Sequence, residues 1–117
     1  TRYHLRHSHD WLVRLGDGTE ESHRRAQAAV NHLWSYTQEF WTATDLEAAA
    51  LAQGLDLPAI RMAWQRTVTD GLVQATLQQP AEVGYVSQGK TGLHSEHLGY
   101  LLAEMQFLQR AYPGARW

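Results

Sequence analysis

The chain has 117 residues, with ten basic side chains against twelve acidic ones and a formal net charge of −2, so it offers neither the basic footprint of a nucleic-acid binder nor a polybasic membrane patch. It contains no cysteine, which excludes disulfides, thiolate catalysis, zinc ribbons and iron–sulfur ligation by this chain and fits a reducing compartment. No stretch approaches the roughly 20 apolar residues of a membrane span, and a chain of this length forms one domain or part of one.

Apolar residues recur at helical spacing and no segment keeps a period of two, so the expected class is all-α, an antiparallel helical bundle. The first helix is predicted from the start to about Leu15, where Gly16, Asp17 and Gly18 stop it. The second starts near Thr19, whose hydroxyl can cap free amides while Glu20 and Glu21 complement the helix dipole, and continues to about Trp41. Its inward stripe reads Ala26, Ala29, Val30, Leu33, Trp34, Thr37, Phe40 and Trp41. A short alanine-rich helix follows, from about Asp45 to Gln53, ended by Gly54.

Asp56 with Pro58 behind it announces the next helix, whose Ile60, Ala63, Trp64, Val68 and Ala75 share a face. Gly71 lies near that face and is read as permitting close helix contact, at a cost of about 1 kcal/mol relative to Ala. The segment from Gln78 to Thr91, with Pro80, Gly84 and Gly89, is too turn-rich for a helix and is expected to be an ordered loop. The final helix should span about Ser95 to Tyr112, with Leu98, Leu101, Leu102, Met105, Leu108 and Tyr112 in one stripe and Pro113-Gly114 ending it.

Counting about 100 degrees per residue along the first helix places His4 between Trp11 and Leu15, with Leu5, Ser8 and Leu12 in the same sector. His4 is therefore expected to point inward. His94 and His97 flank Glu96 at a helix start, where Ser95 and Glu96 are also ordinary capping residues, and structural zinc needs more ligands than these. His7 and His9 point to different sides of their helix, and His23 and His32 fall on the polar flank of the second. Phe107 sits nearly opposite the final stripe: it is either a lone exposed aromatic or a contact for a partner protein. Glu104 is either solvated or paired across a subunit boundary, and exposed ion pairs contribute only ~0–1 kcal/mol.

Two blocks of residues carry a family resemblance. The first comprises Gly89, Lys90, Gly92, Leu93, His94, Glu96, His97, Leu98 and Gly99, continuing through Leu102, Ala103, Glu104, Met105, Gln106, Gln109, Arg110, Pro113, Gly114 and Trp117. The second comprises Arg2, Tyr3, His4, Leu5 and Arg6, then Trp11, Leu12, Leu15, Gly16, Gly18 and Thr19, with tryptophan-bearing counterparts at Trp34 and Trp64 between the blocks. Together they resemble the non-catalytic ferritin-like subunit of phenylacetyl-CoA oxygenase, and the chain reads as a carboxyl-terminal portion of such a subunit.

The resemblance implies a structural subunit, in the bacterial cytoplasm, of the complex that epoxidises phenylacetyl-CoA. No cofactor is then expected in this chain: the di-iron centre belongs to a related catalytic subunit, which with the other oxygenase subunits and the reductase would be its partners. Trp117 reads either as a frayed terminal residue or as one docked onto a partner, and the resemblance favours docking. Ferritin-like di-iron proteins use Glu-x-x-His on a helix, and here the position of the Glu before His4 is Thr1. A neutral hydroxyl cannot balance a di-iron centre, so His4 is read either as a vestigial ligand position or as a core histidine with a satisfied ring. A metal-dependent oxidase using His4 and a helical regulator unrelated to oxygen chemistry are the competing functional classes.

Overall fold

The computed structural model describes residues 1–81 and 84–116. Among them are six α-helices: α1 (Arg2–Gly16), α2 (Glu20–Thr37), α3 (Asp45–Leu51), α4 (Leu57–Gln74), α5 (His97–Met105) and α6 (Phe107–Ala111). Single 3-10 turns cover Gln38–Trp41 and Gly89–Thr91. No strand occurs among the described residues, where an isolated antiparallel bridge joins Gln88 to Leu93. The all-α expectation holds, and the chain divides into two compact units, Thr1–Val86 and Ser87–Trp117.

In the first unit, local chemistry sets the helix starts. Thr19 Oγ1 accepts the Ser22 N–H at 3.2 Å, with Glu20 and Glu21 in the first turn of α2, so a free amide is satisfied and the positive helix end is complemented. Thr44 and Glu47 form a capping box at α3, the Thr44 N–H donating to the Glu47 carboxylate at 3.0 Å. Asp56 Oδ1 accepts the Ala59 N–H at 2.9 Å and Pro58 occupies the first turn of α4, where its missing N–H costs nothing. The second helix stops being α-helical at Thr37, and the stretch expected to complete it tightens into the 3-10 turn Gln38–Trp41.

The core of this unit is small. Leu72, Ala75 and Leu77 are buried, with Leu12, Val13, Ala26, Val30, Trp34 and Val68 packed around them. Helix α1 packs against both α2 and α4. The sector of α1 read as inward is largely uncovered: His4, Leu5, Ser8, Trp11 and Leu15 are exposed, and of that sector Leu12 packs on the core, beside Val13. Periodicity locates an apolar face but not which part of it a neighbour covers, and α1 carries more apolar width than α2 and α4 occupy. The same holds for α2, where Leu33 and Phe40 remain exposed, and for α4, where Ile60 does.

Helix α1 ends at Gly16 as expected, and Gly16 also makes the close helix approach expected at Gly71. Gly16 belongs to α1 and is buried, and a Cβ built on it would lie 2.2 Å from the Ala75 carbonyl oxygen and 2.8 Å from the Ala75 Cβ. It is the point where the end of α1 touches the end of α4. A Cβ on Gly71 would meet nothing closer than His9 Cδ2 at 3.5 Å and Leu12 Cδ2 at 3.9 Å, which is ordinary packing distance. Gly71→Ala is therefore expected to stabilise the protein by about 1 kcal/mol through helix propensity. A higher urea midpoint at unchanged slope would show it, and a lower midpoint would mean that α1 and α4 approach more closely than this.

After α4 the chain is clasped by one side chain. Gln27 Nε2 donates to the Gln78 carbonyl at 2.9 Å, and Gln27 Oε1 accepts the Gln78 N–H at 2.8 Å. The loop expected from Gln78 to Thr91 contains no α-helix among its described residues, and its beginning is ordered by this clasp.

In the second unit, α5 begins at His97 rather than Ser95, after a turn in which the Leu98 N–H bonds the Ser95 carbonyl at 3.1 Å. The single final helix expected from the pattern is two, α5 and α6, divided at Gln106, whose backbone sits at φ −99° and ψ −1°. The Gln106 N–H still bonds the Leu102 carbonyl at 3.0 Å, so the stripe crosses the break nearly in phase and the pattern alone reads as continuous.

Candidate functional site

The first candidate lies at the start of α1. Thr1 is the residue preceding the helix and its side chain makes no capping bond. One turn on, the His4 ring stands edge-on to Tyr3 at 5.7 Å and is exposed, not inward as its periodicity suggests. The same helix carries a ladder at one-turn spacing. Tyr3 stacks on His7 at 5.9 Å, His7 meets Trp11 edge-on at 6.4 Å, and the Arg14 guanidinium lies 5.4 Å from the Trp11 ring centre. His9 leaves on another side, half-buried, with Nδ1 3.6 Å from Asp10 Oδ1.

A di-iron centre needs a carboxylate-rich cage from several helices. Thr1 offers a hydroxyl where that cage would need a carboxylate, and no group of three or more His, Cys, Asp or Glu comes together among the described residues, His94, Glu96 and His97 included.

The polar contacts of His23 are a second feature, one that the sequence pattern hides by placing this residue on a polar flank. His23 Nδ1 lies 2.7 Å from the Gly16 carbonyl oxygen. A carbonyl can only accept, so Nδ1 carries the proton. The Thr76 hydroxyl donates to the same carbonyl at 3.2 Å and sits 3.3 Å from His23 Nδ1. Thr76 adopts φ 57°, a left-handed conformation uncommon for a β-branched residue, and these hydrogen bonds hold it there. The end of α1, the start of α2 and the residues following α4 are thus tied at one carbonyl. Beyond that tie, Tyr36 and Tyr85 meet edge-on at 5.4 Å, and the Tyr36 hydrogen bond, with some desolvation, pushes the Tyr85 phenol up to about 12.

The third feature is the outer surface of α5 and α6. Leu101, Met105, Leu108 and Tyr112 of the apolar stripe are 52–74% exposed, and on the other flank Phe107 is 64% exposed. Among the described residues no ion pair joins Glu104 to Arg110. Trp117 lies outside the described residues.

These features define an all-helical protein with a small core and apolar helix faces of the kind that pack against further helices. The chain belongs to the phenylacetic acid catabolic protein family, whose model matches residues 1–117. It is 48% identical over 118 residues to the C component of the 1,2-phenylacetyl-CoA epoxidase of Escherichia coli (strain K12), in an alignment that takes in 99% of this chain and 48% of that protein. The chain thus spans about half the length of this curated relative.

Proposed function

We propose that the chain is part of a structural, non-catalytic subunit of the multicomponent oxygenase that epoxidises phenylacetyl-CoA in aerobic phenylacetate degradation in the bacterial cytoplasm. Residues 1–117 contribute to one ferritin-like bundle, and di-iron in a separate catalytic subunit supplies the oxygen chemistry. The observation that carries this reading is the family match across the whole chain. It is supported by the Thr1 hydroxyl standing where a ligand carboxylate would be needed beside His4.

The work left to this chain is packing. Exposed faces on α1, α2 and α5–α6 supply apolar area for contacts with the catalytic subunit, and obligate interfaces of this type bury roughly 2,000 Å² or more. Phe107 and Trp117 are proposed contacts in that surface.

Native mass spectrometry of the protein, alone and mixed with the di-iron subunit, tests the reading. The expected result is a heteromer whose iron stays with the partner. Stoichiometric iron on the isolated protein would transfer the chemistry to this subunit and overturn the proposal. Phe107→Glu is expected to weaken assembly about tenfold or more, as loss of a buried aromatic anchor does. Unchanged assembly would remove the outer flank of α6 from the interface.

A further inference from the structure

The indole cluster of the first unit is open on one side. Trp64 is its centre, 5.9 Å from Trp34 and 5.2 Å from Trp41 between ring centroids, with the planes tilted by 34° and 58°. Beside these rings lies a cavity of about 200 Å³, whose lining includes Arg61, Gln38 and Gln65.

Three properties of this cavity select a ligand class. Among the described residues its lining carries one charged side chain, Arg61, which favours an anion. The Arg61 guanidinium lies 5.9 Å from the Trp41 ring centre, within cation–π range, and its planar fork of N–H donors matches a planar acceptor such as a carboxylate. No carboxylate of the described residues is ion-paired with Arg61. The indole surfaces suit a flat apolar body. Size sets what can sit inside: the volume falls below the roughly 300–1,000 Å³ of sites for drug-sized ligands and has room for one ring with a short acidic arm.

We propose that this cavity binds a single-ring aromatic carboxylate, its ring against the tryptophan cluster and its carboxylate on Arg61. The site is separate from the assembly role and does not rest on it.

Benzoate, with benzamide as its uncharged counterpart of nearly the same shape, tests the proposal on the intact protein labelled with nitrogen-15 at the tryptophan indoles. Benzoate is expected to move the Trp34, Trp41 and Trp64 indole signals saturably, with a dissociation constant on the order of 1 mM, while Trp11 stays still. Benzamide should bind about fivefold more weakly, the contribution of one accessible ion pair. Arg61→Gln should remove the preference for benzoate, and Arg61→Lys should keep part of it. Shifts that do not saturate, shifts shared equally with Trp11, or equal affinity for the two probes would overturn the site. The comparison of the two probes on the unaltered protein decides the question even if either variant fails to fold.

Discussion

Gly16→Ala is expected to destabilise the protein by about 3 kcal/mol or more, the upper end of what overpacking costs. The added methyl would fall 2.2 Å from the Ala75 carbonyl oxygen and 2.8 Å from its Cβ, and Ala75 is fully buried. No flexible side chain is there to turn aside, so the ends of α1 and α4 must separate. That separation would also strain the carbonyl shared by His23 and Thr76. Equilibrium urea unfolding measures the effect. A loss below about 1 kcal/mol, the ordinary range for a surface change, would show that the two helix ends have slack between them.

The second large effect is expected at Trp64. Its ring is the one that touches both Trp34 and Trp41, so Trp64→Ala removes both ring contacts together with its packing area. Full burial would put the loss at about 3–5 kcal/mol. Trp64 is only partly buried, which reduces the expected loss to about 2–3 kcal/mol. Trp64→Phe should recover part of it, since a smaller ring still meets Trp34. If thermal unfolding of the alanine variant matched the parent, the three indoles would be neighbours without being a packed cluster.

Whether a feature can be read from the sequence depends on how far apart its causes lie along the chain. The caps at Thr19 and Asp56 involve residues within one turn of each other, and the structure has them where the sequence places them, whereas α4 already ends at Gln74, before the loop expected from Gln78. The close approach expected at Gly71 falls at Gly16 instead, because either glycine can permit it. Only the crossing of α1 and α4 decides which one faces backbone. The division of α5 from α6 at Gln106 is hidden because the apolar repeat crosses it without a change of step.

The site residues show the same limit more sharply. His4 lies in an apolar sector by angle, yet among the described residues only the Leu12 part of that sector is covered, because burial depends on neighbours that no periodicity names. His23 reads as a surface residue since its partners, the Gly16 carbonyl and Thr76, are a backbone atom and a hydroxyl distant in sequence. No residue pattern marks a carbonyl that needs a second donor. The family, by contrast, is legible from the glycines, histidines and glutamates spaced from Gly89 to Pro113, and the match across residues 1–117 agrees.

The pairing of Gln27 with Gln78 restricts what evolution or design can place at position 27. One planar amide presents a donor and an acceptor side by side, and Gln78 offers the complementary pair from its backbone N–H and C=O. Glutamate would lose the donor, lysine or arginine the acceptor, and asparagine a methylene of reach. The clasp bears no charge, so neither salt nor pH across the physiological range loosens it. Position 27 therefore works as a geometric lock whose key is a single amino acid.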